Sequence, residues 1–125
     1  MSLNVQPHEL KIFTNPTWLS QIIFNLIINA AQAIKECGIQ RGKSIIKIYI
    51  TKTNDGLSIA VIDNGPGIDK NLIQSIFKPF FTTKDSGTGL GLSICQNLAH
   101  QMGTKIEFKN NSPLLGATFW INLPL

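Results

Sequence analysis

Residues 63–67, Asp-Asn-Gly-Pro-Gly, end an apolar stretch, and a second glycine cluster, Gly87-Thr88-Gly89-Leu90-Gly91, opens an amphipathic one. Upstream of both, Asn25 and Asn29 interrupt an apolar helix. In this order the three pieces make a nucleotide site of an unusual kind. The second cluster lacks the Gly-Lys-Ser/Thr of a P-loop, and its glycines do not fit Gly-x-Gly-x-x-Gly after a strand.

Local signals divide the chain into alternating elements. Leu10 to Phe13 reads as a short strand. Asn15-Pro16 is a helix start, a capping side chain followed by proline at the first helical position. That helix is expected to run to about Glu36, with Gly38 ending it. Ser44 to Thr53 alternates Ile46, Ile48 and Ile50 with other residues, as a strand does. Asn54-Asp55-Gly56 is a hairpin turn, and Leu57 to Asp63 returns as a strand apolar enough to be central. Asp69 is placed to cap a short helix over 70–76, with Ile68 and Ile73 as a hydrophobic staple. Pro79 to Thr88 has no period and reads as a loop. Gly89 to Met102 is helical and stops at Gly103. Lys105 to Lys109 and Thr118 to Leu123 are two more strands, joined by a turn over 110–116. The expected fold class is α+β: a two-layer α/β sandwich, with about three helices on one face of a mixed, mostly antiparallel sheet. The 125 residues suit a single domain, with 1–9 as a tail.

Several function classes fall away. Eleven basic residues against seven acidic leave a net charge of +4, but ten of the eleven are scattered lysines and form no block. Nucleic-acid surfaces cluster their cations, so no nucleic-acid partner is expected, whereas a modest positive balance suits a polyphosphate. Cys37, Cys95, His8 and His100 stand apart from one another, which makes neither a disulfide framework nor a zinc site. The longest apolar run, Ile22 to Ile28, is broken by Asn25 and falls short of the ~20 residues of a membrane span. A cytoplasmic domain without direct membrane contact is expected, whether or not a parent chain is anchored.

Gln21, Asn25 and Asn29 recur at i, i+4, i+8 and share one helix face. Ile22, Ile23, Phe24, Leu26, Ile27 and Ile28 surround them, so the helix is expected to be buried all round. A buried amide left without a partner costs roughly 1–3 kcal/mol. Neighbouring backbone can satisfy one such amide. An aligned pair points to a ligand or to Mg²⁺, a hard cation that takes oxygen ligands and keeps much of its shell as water and phosphate. Asp63, at the end of a central strand, can accept from an exocyclic purine amine, with Gly65 and Gly67 letting the backbone approach a flat ring. A plain Asn-Gly turn with an exposed Asp63 is the alternative. Free N–H groups at the start of the 89–102 helix favour phosphate. The ten residues before it, with Phe80, Phe81, Thr82, Thr83 and Lys84, make a lid.

These residues resemble the ATP-binding catalytic domain of bacterial sensor histidine kinases, in the Bergerat-fold superfamily that also holds gyrase-type ATPases, Hsp90 and MutL. Gln-x-x-x-Asn-Leu-x-x-Asn-Ala (21–30) resembles the N box, Asp-x-Gly-x-Gly (63–67) the G1 box, Phe-Lys-Pro-Phe-Phe-Thr-Thr-Lys (77–84) the F box, and Gly-x-Gly-Leu-Gly-Leu (87–92) the G2 box. Gly-Ala-Thr-Phe (116–119) resembles the last glycine motif. The resemblance spans about residues 10–123.

The resemblance implies ATP and Mg²⁺ as cofactors. Asp63 would accept from the adenine amine, Gly65 and Gly67 would shape the pocket, and Asn29 would hold Mg²⁺ with Asn25 beside it. Gly87, Gly89 and Gly91 would cradle phosphate and Lys84 would neutralise it, with Thr83, Thr88, Leu90 and Thr118 as further contacts. Three positions depart from the pattern: Lys78 replaces a usual acid, Gln32 a frequent phosphate-contacting lysine, and Ala117 a frequent threonine. Asn25 stands where gyrase-type relatives carry a glutamate base. An amide takes no proton, which argues for phosphoryl transfer rather than hydrolysis. The acceptor would be a histidine on a separate dimerisation hairpin, with a response regulator downstream. Only twelve residues separate His8 from Gln21, too few for that hairpin. The other reading open from sequence is a related ATP-binding regulatory module or an anti-sigma-type serine kinase.

Overall fold

The structure is a computed structural model that describes residues 2–6, 15–36, 43–78, 91–111 and 116–124; of 2–6 it describes the backbone alone. The expected strand at Leu10–Phe13, the helix stop at Gly38 and the loop expected over Pro79–Thr88 lie outside the described residues.

Five strands form one sheet: β1 (Ser2–Gln6), β2 (Ile46–Lys52), β3 (Gly56–Asp63), β4 (Ile106–Asn110) and β5 (Ala117–Pro124), in the spatial order β1-β2-β3-β5-β4. β1 pairs parallel with β2, and the other pairs are antiparallel. The sheet is therefore mixed and mostly antiparallel, with β3 at its centre, as its apolar content requires. Residues 2–6 were expected to be a tail. They form an edge strand instead, through a pairing with β2 that no local signal announces.

Among the described residues two α-helices, α1 (Pro16–Glu36) and α2 (Gly91–Gln101), pack on the sheet and on each other. α1 starts where expected: Asn15 Oδ1 accepts from the N–H of Trp18 at 3.1 Å, the bond of a capping side chain. α2 ends in a Schellman motif, with Gly103 N–H donating to His100 C=O and Thr104 N–H to Ala99 C=O. The third expected helix is reduced to a 3₁₀ turn at Ile73–Ser75. Asp69 Oδ1 accepts from Asn71 N–H only two residues on, and the backbone bonds that follow (Leu72 to Asp69, Ser75 to Leu72, Lys78 to Ser75) all span three residues. The side chain builds an Asx turn rather than a helix cap, so no α-helix is nucleated.

The core lies between helices and sheet. Ile22, Leu26 and Ala30 line one face of α1 and join Ile48, Ile59, Val61, Phe119 and Ile121 of the sheet and Cys95 and Ala99 of α2 in the core, and Ile34 is buried on the same helix. Full burial of side chains such as Ile22 and Leu26 contributes about 1.5–3 kcal/mol each. Phe77 packs edge-on to Phe119, with ring centroids 6.4 Å apart, and so anchors the residues leading into 79–90.

α1 is not buried all round. Phe24 is 62% exposed and Ile28 is also exposed, one turn apart on the outer face. By length and composition alone the helix could also cross a membrane, over Pro16–Lys35. Counting only uninterrupted apolar residues missed this, because Asn25 and Asn29 break the run without ending the helix. Here its buried face forms the domain core.

Candidate functional site

β3 delivers Asp63 to one end of the sheet. Strand alternation sets Leu57, Ile59, Val61 and Asp63 on the helix-covered face, and Asp63 is 5% exposed. Its Oδ1 accepts from Gly65 N–H at 2.8 Å and from Ala117 N–H at 3.3 Å. The carboxylate is thus tied to the turn that follows it and to the first residue of β5. This rules out the plain turn with an exposed aspartate.

The turn is shaped by close approach. Gly67 has φ +75°, and a Cβ there would lie 2.7 Å from Asn110 Oδ1. A Cβ on Gly65 would lie 3.0 Å from Asp63 Oδ1 and 3.6 Å from the Cβ of Ala33, one helical turn beyond Asn29. Gly116 has φ +109°, and a Cβ there would lie 1.9 Å from the carbonyl oxygen of Asp63. No side chain fits that gap, so glycine is obligatory where β5 meets the end of β3.

Three asparagines hold this end of the sheet together. Asn64 Oδ1 accepts from Ile45 N–H and its Nδ2 donates to Lys43 C=O. Asn110 accepts from Ile68 N–H at 2.9 Å and donates to Ile68 C=O at 2.8 Å. Asn111 Nδ2 donates to Asp63 C=O at 3.1 Å, and its Oδ1 accepts from the Thr118 hydroxyl. Asn25 plays the same part between the helices, where its Nδ2 donates to Cys95 Sγ at 3.3 Å. Desolvation raises the pKa of the buried Cys95 thiol, and the Asn25 bond offsets part of that rise.

The expected site residues fall into three groups. Asp63, Gly65 and Gly67 come together at the strand end, with α1 against them through Ala33. Asn29 is half-buried on the same helix one turn earlier, and Gly91 begins α2 exposed, with open space where a Cβ would stand. Asn25 and Thr118 have other engagements. Asn25 is bonded to Cys95, and alternation along β5 sets Thr118 on the face opposite Ala117, where its hydroxyl meets Asn111. The main-chain N–H of Ala117, not the Thr118 side chain, reaches Asp63. Thr83, Lys84, Gly87, Thr88, Gly89 and Leu90 lie outside the described residues. Sequence reasoning missed Asn110 and Asn111. Two adjacent amides closing an apolar strand were the available signal.

Among the described residues no three His, Cys, Asp or Glu side chains converge as a metal cage. The amide oxygen of Asn29 suits a hard cation that draws its other ligands from phosphate and water.

A buried carboxylate fixed by main-chain donors closes the central strand of this α+β domain, beside two glycines whose missing Cβ atoms leave room for Asp63 Oδ1 and Asn110 Oδ1. The chain belongs to the histidine kinase-, DNA gyrase B- and HSP90-like ATPase family, whose model matches residues 14–125. It is 35% identical over its whole length to the sensor histidine kinase ZraS of Klebsiella oxytoca, covering 26% of that protein. It is 44% identical over 86% of its length to the signal transduction histidine-protein kinase AtoS of Escherichia coli (strain K12), covering 17% of that protein. The chain therefore spans about a quarter or less of these relatives. The nucleotide-free catalytic domain of histidine kinase ThkA superimposes with a TM-score of 0.84 at 32% identity, over 98% of this chain and 76% of that one. Full-length ShkA in complex with AMPPNP superimposes at 0.82 with 26% identity, over 98% of this chain and 25% of that one.

Proposed function

We propose that this domain binds MgATP between α1, the Asp63–Ile68 turn and the start of α2, and presents the γ-phosphoryl to a histidine on a helical hairpin elsewhere in a parent sensor kinase. The buried Asp63 carboxylate, fixed through Oδ1 by Gly65 and Ala117 N–H groups, carries the reading. Such an acceptor matches the donor edge of adenine, and a lactam purine such as guanine would set a carbonyl against it.

Each residue has a task in this reading. Gly65 and Gly67 let the ring lie flat against the turn. Asn29 would hold Mg²⁺, which when bound supplies charge neutralisation at the phosphates. Gly87, Gly89 and Gly91 would offer main-chain N–H groups to phosphate oxygens and Lys84 a cation. Asn25 keeps α2 seated on α1 through Cys95, and its amide cannot take a proton from water. That favours transfer to a better nucleophile over hydrolysis. ThkA has been crystallised with the response regulator protein TrrA. A response regulator as the next acceptor of the phosphoryl group, in the cytoplasm, is the corresponding proposal for the parent of this chain.

The test is transfer in trans. The domain is mixed with the dimerisation hairpin of its own parent and γ-labelled ATP. The expected product is a label on the hairpin histidine, labile to acid and stable to base, while the domain alone hydrolyses ATP slowly. Brisk hydrolysis by the isolated domain, or an acid-stable label on serine of a partner, would overturn the reading.

A further inference from the structure

The near end of the turn that shapes the pocket sits on the sheet ladder, where Asp63 pairs with Ile46 and Asn64 N–H donates to Ile45 C=O at 3.2 Å, but residues 65–68 lie beyond it. Pro66 has no N–H to give, and the bonds that fix residues 63–68 run chiefly to side-chain amides and the Asp63 carboxylate. Two of those amides are consecutive. Asn110 closes β4, and Asn111 follows it on the opposite face of the sheet. Asn110 pairs with both backbone polar groups of Ile68, at the far end of the turn. Asn111 takes the carbonyl of Asp63, at the near end, and its own N–H donates to Gly116 C=O at 2.9 Å. The turn is thus gripped at both ends from one point on a neighbouring hairpin, with Gly65 to Gly67 between the grips.

We infer that Asn110 and Asn111 are positioning residues of the nucleotide pocket: they fix the turn in the shape that admits a purine and aims the Asp63 carboxylate at it. The inference rests on the reading of Asp63 as the adenine acceptor, but it adds a determinant outside the motif that carries Asp63. Gly67 supports it from the other side, since a Cβ at this positive-φ residue would press on Asn110 Oδ1, the acceptor of the Ile68 bond. Asn110 is the last rung of the β4–β5 ladder, paired with Ala117 past the apolar pairs Ile106–Ile121 and Phe108–Phe119, and Asn111 follows it. Losing one is expected to loosen the turn while the packed layer stays intact. A turn free to sample other shapes binds more weakly by the fraction of time it spends in the right one.

Titration calorimetry of the 125-residue chain with MgADP and MgATP tests this. Three variants are compared with the unaltered chain: Asn110→Ala, Asn110→Ser, and Leu123→Val as a packing control at the other end of the sheet. Two lost bonds predict that Asn110→Ala raises Kd about tenfold, by the same factor for both nucleotides because both carry the purine. Asn110→Ser, whose hydroxyl can keep one bond, is expected to fall between, and it carries the test if Asn110→Ala does not fold. Amide ¹H–¹⁵N spectra should show the Gly65 and Ile68 signals displaced in the Asn110 variants and unmoved in Leu123→Val, which binds nucleotide like the unaltered chain. Unchanged Kd in folded Asn110 variants, or an equal loss in Leu123→Val, would overturn the positioning role alone. No binding by the unaltered chain would overturn the nucleotide pocket itself, and this role with it.

Discussion

Replacing one oxygen by nitrogen separates the structural work of Asp63 from its proposed recognition of the purine. In Asp63→Asn the side chain keeps its shape, and the amide oxygen can still accept from Gly65 and Ala117 N–H groups. That satisfied oxygen fixes the orientation, because turning the amide round would set NH₂ against two N–H donors. The NH₂ then takes the other carboxylate position and faces the adenine amine, donor against donor. The two retained bonds pass from charge-assisted to neutral, at a cost of about 1 kcal/mol to the fold. Binding loses a bond to a charged acceptor and gains an unpaired buried donor, together about 2–3 kcal/mol, or roughly 30- to 150-fold in Kd. Calorimetry with MgADP reads the second effect and thermal melting without nucleotide reads the first. A melting point lowered by a few degrees with affinity intact would refute the reasoning, since Asp63 would then hold the turn and nothing more.

Other perturbations probe separate parts of the argument. Asn29→Ala should abolish the extra stabilisation that Mg²⁺ adds to ADP; melts with ADP, with and without Mg²⁺, decide it. Gly116→Ala forces a Cβ against the Asp63 carbonyl at positive φ and should cost about 3 kcal/mol or more, whereas Gly103→Ala, also at positive φ but with nothing within 4 Å, should cost about 1 kcal/mol; denaturant midpoints compare them. Burial holds the pKa of the Cys95 thiol above its ordinary value, so its contribution is fully present below the unfolded value and is lost as pH climbs through the folded one. The domain should therefore melt earlier as pH rises past the ordinary thiol range of about 8.5, and Cys95→Ala should flatten that slope while costing some stability at pH 7.

The parts of the fold legible in the sequence are those whose signal is local. Asn15-Pro16 marks the start of α1 because the capping bond reaches only Trp18. Gly103 ends α2 because the Schellman bonds close within five residues. Asp63 was legible as a candidate only through the resemblance of 63–67 to a family motif, because a carboxylate before a glycine turn taken alone fits a plain exposed turn. What escaped depends on distant partners. β1 exists only through its pairing with β2, some forty residues on, and its short stretch has no period to announce it. Asn110 and Asn111 act on residues 42 and 48 positions away, so they read as turn formers. The choice between Ala117 and Thr118 turns on strand parity, a single-residue matter that a motif match does not resolve. Phe24 and Ile28 looked like core because composition does not say which side of a helix meets the sheet.

β3 joins two dissimilar places along one straight segment. Its first residue, Gly56, follows the exposed Asn54-Asp55 hairpin tip, and its last, Asp63, lies at the proposed nucleotide pocket. Eight residues of extended chain separate them by about 23 Å along the strand. That span lies within the working range of common energy-transfer dyes, and β2 and β5 brace the segment on either side. A fluorophore attached at position 55 and a fluorescent adenine nucleotide would therefore form a ruler of nearly constant length. Departures from that length would report nucleotide seated elsewhere than beside Asp63, without any mutation in the pocket.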